Sequence, residues 1–238
     1  MRRSEANQAI RFALDLFQAH GIALPPFAHW PPTDPRWDRA ATLIRLGLGW
    51  DVTDFGSNDF LACGLTLFTL RNGGAQAADR PYAEKIMAVR EAQVTPTHFH
   101  HKKMEDIIVR AGAPLCIEIW NNGPSGSPAK NEVAIAVDSQ VRTIQAGSAL
   151  RLEPGESVTL PPGLWHRFYA LGGPSVVGEI STINDDAADN VFLDSGIRFP
   201  QMQEDEPPLR RLVADYPQLA GAQARGSKSH GPRPELDR

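Results

Sequence analysis

The sequence predicts an all-β domain, a sandwich or barrel of short strands, entered through one amphipathic helix. Three observations carry this reading. From Tyr82 to Ser181 short β-rich runs succeed one another with turn signals between them. The 20 prolines and 20 glycines punctuate short apolar runs, as expected of a chain with many turns. No periodic segment of helical length interrupts the series.

The elements follow in order. Residues 4–20 read as a helix, because Ile10, Leu14 and Phe17 recur at i, i+4 and i+7, with Ala6 and Ala13 on the same face. Ser4 is placed to cap it, and Gly21 with Pro25-Pro26 ends it. His29-Trp30-Pro31-Pro32 predicts an irregular crossing, and residues 37–47 a second short helix. The stretch from Leu48 to Gly56 reads as a turn-rich entry to the sheet. Residues 64–70 form the first strand, stopped by Arg71-Asn72-Gly73-Gly74. Further strands are predicted at 84–90, 97–101, 103–110, 115–121, 133–138, 142–145, 149–152, 157–160, 165–171 and 175–182. An acidic loop, Asn184-Asp185-Asp186-Ala187-Ala188-Asp189-Asn190, comes next, then a short helix at 209–216. The domain plan is a helical and irregular segment at 1–56 packed on a β domain at 57–200, an extension at 201–220, and a mobile tail at 221–238 with too little apolar surface to order itself.

Composition excludes some functions. The net charge of −4 leaves no basic footprint for phosphate contacts, so nucleic acid is not an expected partner. No uncharged run approaches a membrane span. The basic start Met1-Arg2-Arg3 leads into a pattern broken by Arg11 and Asp15, not a signal sequence. A soluble cytoplasmic protein is expected. Cys63 and Cys116, the only cysteines, lack metal-type spacing and read as buried free thiols.

The chemistry concentrates at His98-Phe99-His100-His101-Lys102-Lys103-Met104-Glu105-Asp106, which holds three of the chain's seven histidines. Alternate residues of a strand share a face, so His98 and His100 point together. Glu105 breaks that parity unless the chain turns at His101-Lys102. A hairpin there would start a new strand with Lys103, Glu105 and Ile107 on one face and leave His101 and Lys102 at the turn. A second half-site, Pro161-Pro162-Gly163-Leu164-Trp165-His166, directs a strand on which His166, Phe168 and Ala170 share a face. His98, His100, Glu105 and His166 together are read as ligands of one divalent metal. Three imidazoles and a carboxylate without thiolate argue against structural zinc and suit Mn, Fe, Co, Ni or Zn at an open site.

These two half-sites resemble the two-part motif of the cupin superfamily, small β-barrels that hold a metal inside. A closer resemblance, spanning roughly residues 3–216, is to the D-lyxose ketol-isomerase family. It is carried by Pro96-Thr97-His98-Phe99-His100 with Lys103-Met104-Glu105-Asp106-Ile107-Ile108. Leu48-Gly49-Trp50-Asp51-Val52-Thr53-Asp54-Phe55-Gly56, Leu70-Arg71-Asn72-Gly73, Gly178-Glu179-Ile180-Ser181 and Glu204-Asp205-Glu206-Pro207-Pro208 also match. The resemblance implies a cupin-type jelly-roll barrel, a preference for manganese, a homodimer, and interconversion of D-lyxose with D-xylulose, often of D-mannose with D-fructose. Its metal ligands fall on His98, His100, Glu105 and His166, and its pocket lysine on Lys103. The chain departs from the family pattern at His101 and at Val109-Arg110-Ala111-Gly112, with an expected effect on pocket shape.

Aldose–ketose exchange moves a proton between C2 and C1 through a cis-enediol. Glu179 is the candidate base, on the strand after that of His166; burial beside Val177 and Ile180 is expected to raise its pKa, and Gly178 to allow close approach. Lys103 is the candidate for polarising or protonating a sugar oxygen, and Asp186 and Arg198 for binding hydroxyls. Two other classes share the ligand types: a cupin dioxygenase using Fe(II), and a non-catalytic sugar-binding cupin. Lys103 beside the metal and the acidic 184–190 loop favour a polyol over the apolar substrate of the first. The complete ligand set disfavours the second.

Overall fold

The computed structural model describes residues 1–74, 76, 78–185, 188–194 and 198–216; Asp186 and the tail predicted for 221–238 lie outside them. The amphipathic helix forms as α1 (Arg3–Ala19), with a short α2 (Ala41–Arg45) following two 3-10 turns, Pro26–His29 and Pro35–Arg39. Ser4 does not cap α1. The Arg2 N–H donates to Glu5 Oε2 at 2.7 Å, while Ser4 gives its N–H and hydroxyl to Asp205 at 2.9 and 2.6 Å. The predicted helix at 209–216 is reduced to a 3-10 turn, Val213–Asp215.

The strands are β1 (Gly49–Thr53), β2 (Leu65–Arg71), β3 (Tyr82–Val89), β4 (Thr95–His100), β5 (Glu105–Gly112), β6 (Leu115–Trp120), β7 (Val133–Val137), β8 (Gln140–Ile144), β9 (Ala149–Leu152), β10 (Ser157–Leu160), β11 (Trp165–Ala170), β12 (Ser175–Thr182) and β13 (Asn190–Phe192). Among the described residues they form two antiparallel sheets, ordered β1-β2-β3-β12-β5-β10-β7-β8 and β13-β4-β11-β6-β9, and neither closes on itself. The inner faces meet in one core: Leu67, Met87, Ile107 and Val177 from the larger sheet pack with Leu115, Ile117, Ile119 and Phe168 from the smaller. The all-β fold with an N-terminal helix is as predicted, its β domain built as two open sheets.

A second core lies on the outer face of the larger sheet. Ala6, Ile10, Ala13 and Phe17 of α1 cover Trp50, Phe68, Ile86 and Val176. Phe17 stacks on Trp50 at 6.5 Å, and the Trp50 indole N–H donates to Ala28 O at 2.8 Å. Burying Ile10 and Phe17 contributes about 1.5–3 kcal/mol each. Because both faces are covered, β1, β2 and β3 are buried almost throughout, without the alternation of buried and exposed positions of a half-exposed strand. The acidic segment before residue 207 ties α1 down. Arg3, 3% exposed, pairs with Glu204 at 2.6 Å and Asp215 at 2.8 Å, and Asn7 donates to Glu206 at 2.6 Å. No helix among the described residues is long and apolar enough to cross a membrane.

Candidate active site

Three of the four predicted ligands stand on the smaller sheet. β4 and β11 are neighbours in which His98 and His166 are directly opposite, ring centroids 4.2 Å apart. His100, two residues on, shares their face. Gly163 (φ 79°) makes the turn into β11 and donates its N–H to His100 O at 2.8 Å, so the Pro-Pro-Gly turn is fastened to the strand it must meet. Glu105 arrives from the other sheet as the first residue of β5. The turn at His101-Lys102 is therefore a corner that carries the chain between sheets, not the hairpin predicted. Asp189 fixes that corner: its carboxylate accepts from the N–H groups of Lys102 and Lys103 at 2.8 and 3.0 Å, and its carbonyl from that of His101 at 3.1 Å. His101 and Lys102 are left exposed and Lys103 goes inside, as the parity argument requires.

His98, His100, Glu105 and His166 are all buried, and one ligand atom from each lies within 4.8 Å of all the others. His98 Nδ1 lies 2.8 Å from Pro96 O and His166 Nδ1 3.0 Å from Leu164 O. A carbonyl only accepts, so each Nδ1 carries a proton and each Nε2 is the ring nitrogen left for the site. The Nε2 atoms of His100 and His166 are buried without a hydrogen bond, though each is near Glu105 Oε1, at 3.3 and 3.2 Å. Burial and the neighbouring imidazoles push the His98 pKa well below 6.5, and burial lowers that of His100. Imidazoles with orphaned nitrogens around a carboxylate make a donor set that fits a divalent metal.

Beside it lies a chain of charges. Lys103 Nζ is 2.7 Å from Glu105 Oε2 and donates to Glu179 Oε1 at 3.0 Å. Lys85 Nζ is 3.3 Å from Glu179 Oε1 and donates to Asn184 Oδ1 at 2.6 Å. Burial alone would raise the Glu179 pKa, as the sequence reading expected, but Lys103 and Lys85 outweigh it and hold the carboxyl below its ordinary value. Burial opposes ionisation of Glu105 likewise, and Lys103 and His100 pull its pKa well down. Gly178 does not open the cavity. A Cβ there would lie 2.9 Å from Arg110 Nε, whereas Glu179 and Val177 face inward.

One cavity collects these groups. Its lining includes His98, His100, Lys103, Glu105 and Glu179, with Lys85 and Arg198, against an apolar wall of Phe55, Leu65, Phe168 and Phe192. Arg198 pairs with the buried Asp51 and stacks over Phe199 at 4.7 Å. Asp186 lies outside the described residues. Of the departures noted in the sequence, His101 packs edge-on against Phe99, Val109 is in the core and Arg110 covers Gly178; none lines this cavity.

The family model for D-lyxose isomerase matches residues 1–216. The chain belongs to the D-lyxose isomerase family. A D-lyxose/D-mannose isomerase of Escherichia coli O157:H7 is 46% identical over 228 residues, covering 92% of this chain and 100% of that one. A D-lyxose ketol-isomerase of Cohnella laeviribosi is 29% identical over 216 residues, covering 87% and 100%. Among solved structures, L-ribose isomerase of Geodermatophilus obscurus superposes with TM-score 0.53 at 19% identity, covering 85% of this chain and 98% of that one. At that identity the likeness shows the fold alone. This D-lyxose isomerase family member is a sugar isomerase with a buried His-His-Glu-His group able to hold a metal ion. Sequence reasoning missed three polar residues around that group: Lys85, Asn184 and Asp189. Lys85 carried a signal, since it shares strand parity with the core residues Met87 and Val89 and sits opposite Glu179.

Proposed function

We propose that this chain is a metal-dependent aldose–ketose isomerase that interconverts D-lyxose and D-xylulose, with D-mannose and D-fructose as a second pair. The observation that carries the reading is a buried carboxylate, Glu179, held ionised between Lys103 and Lys85 in the cavity that also holds the His-His-Glu-His group. A divalent cation, manganese by preference, held by His98, His100, Glu105 and His166 supplies positive charge against the negative charge that develops on the sugar oxygens.

The chain's own groups do the rest. Glu179 takes the proton from C2 of the open aldose; the C–H electrons form the C1–C2 double bond, the carbonyl π pair moves to O1, and O1 takes a proton from the Lys103 ammonium to give the cis-enediol. Glu179 then delivers the same proton to C1, and the hydroxyl proton of O2 returns to Lys103 as the C2 carbonyl forms. Its two lysine neighbours keep Glu179 ionised and oriented before the reaction. Lys103, between Glu105 and Glu179, is placed to donate to a sugar oxygen as protons move between O1 and O2. Arg198 and Asp186 bind hydroxyls farther along the sugar. The apolar wall excludes water, which limits loss of the transferred proton. The active species is assigned as a cytoplasmic homodimer.

The test is to purify the protein with manganese, offer D-lyxose and assay ketose. Failure of the metal-loaded protein to isomerise any pentose or hexose would sink the reading.

A further inference from the structure

We propose that Thr95 is a specificity-determining residue, its hydroxyl binding a sugar hydroxyl remote from the reacting carbons, on C4 or C5; this rests on the isomerase reading above. Thr95 lines the same cavity, is 3% exposed, and its Oγ1 has no hydrogen-bond partner. Among the described residues lining the cavity it is the only hydroxyl. A buried hydroxyl without a partner is costly, and binding a polyol is one way to satisfy it.

Its presence in the cavity is a backbone decision. Thr95 and His98 are three residues apart, so an unbroken strand would put them on opposite faces. The pairing of β4 with β11 instead shifts register, from His98 opposite His166 to Thr95 opposite Phe168. The extra residue falls at Pro96-Thr97, and proline, which cannot donate to a ladder, is at home in a bulge. The same irregularity places Pro96 O on His98 Nδ1 at 2.8 Å. One bulge thus sets the tautomer of a metal-ligand histidine and turns Thr95 to the cavity. Three residues of strand, shortened by the bulge to oppose two on β11, span roughly 7–10 Å. That is comparable with the reach of an open five-carbon chain plus one hydrogen bond, so a sugar reacting near His98 would bring its C4 or C5 hydroxyl to Thr95.

The experiment compares wild type, Thr95→Val and Thr95→Ser, manganese-loaded, on D-lyxose and on 4-deoxy- and 5-deoxy-D-lyxose. For Thr95→Val the expected result is an about tenfold loss of kcat/KM on D-lyxose, carried by KM, with the manganese-to-protein ratio unchanged. Thr95→Ser should recover most of the loss. One deoxy sugar should lose a similar factor on wild type and nothing further on Thr95→Val. The metal-free Thr95→Val protein should melt at the same or a higher temperature, because an unsatisfied hydroxyl has become a methyl of the same shape. Unchanged kinetics of Thr95→Val on D-lyxose, a fall in kcat with KM constant, or additive losses on both deoxy sugars would overturn the proposal. Wild-type inactivity on D-lyxose overturns the isomerase reading instead.

Discussion

Replacing Glu179 by glutamine separates the proton-transfer role from the structural one. The amide keeps the shape and one acceptor but cannot take a proton from carbon. A positioned general base contributes about 10²–10⁴ in rate, so kcat should fall by about that factor. The structural cost is bounded by what each lysine retains. Removing one partner of a buried pair costs roughly 3–5 kcal/mol when the other charge is stranded. Here Lys103 keeps Glu105 at 2.7 Å and Lys85 keeps Asn184 at 2.6 Å. Destabilisation should therefore stay near 1–3 kcal/mol, the cost of weakened hydrogen bonds to charged groups. Three readouts are needed: ketose formation, transfer of deuterium from C2 of 2-deuterated D-lyxose to C1 of the ketose, and the manganese-to-protein ratio. Loss of the first two with the third unchanged is expected. Turnover within a few-fold of wild type would remove Glu179 from the role of base.

The charges also predict pH behaviour. The folded pKa of Glu179 lies below its unfolded value of about 4.3, so its ionisation stabilises the fold fully above that value and the contribution fades as pH falls through the folded pKa; an acid limb of kcat/KM at pH 6–7 that traces to Glu179 would contradict this. Lys85→Met removes one of the two lysines that lower Glu179, so the limb should move to higher pH with metal content unchanged; an unmoved limb would show that Lys103 alone sets the carboxyl. Chelation should abolish turnover and manganese restore it, whereas His98→Ala should lower the manganese-to-protein ratio, as elemental analysis would show. Arg3→Ala should cost about 1–3 kcal/mol in urea denaturation by releasing Glu204 and Asp215 from α1, with KM unchanged.

The sequence revealed what depends on local parity. His98 and His100 share a face because they are two apart, and Lys103 and Glu105 share one for the same reason. The strands at 149–152, 157–160 and 175–182 were legible to the residue, each bounded by turn chemistry. What parity cannot give is which sheet the next strand joins. A hairpin and a corner both preserve the alternation on either side, so the β4–β5 connection was readable as a turn but not as a crossing. β1 escaped because both of its faces are buried, and its Gly49 and Asp51 look like turn residues. β13 escaped because it has three residues and follows an acidic stretch whose Asp189 buttresses the corner. Lys85 escaped because the apolar run from Ile86 to Val89 masked a charge on its inward face.

The crossing changes how the site works as a unit. His98, His100 and His166 belong to the smaller sheet; Lys85 and Glu179 are cross-strand partners in the larger one. The three histidines of the proposed metal site and the proposed base are thus carried by different sheets, and the packing between those sheets sets their separation. The corner at His101-Lys102 is one of the links between them, placing Glu105 among the histidines while Lys103 reaches the carboxylate of Glu179. Glu105 and Lys103 are the residues through which the charge of one half is felt in the other. Under the proposed function, metal charge felt by Glu105 would weaken its hold on Lys103 and leave more of that ammonium to Glu179. The stretch from His98 to Glu105 would then be both the proposed ligand cluster and the joint that couples metal charge to the basicity of Glu179.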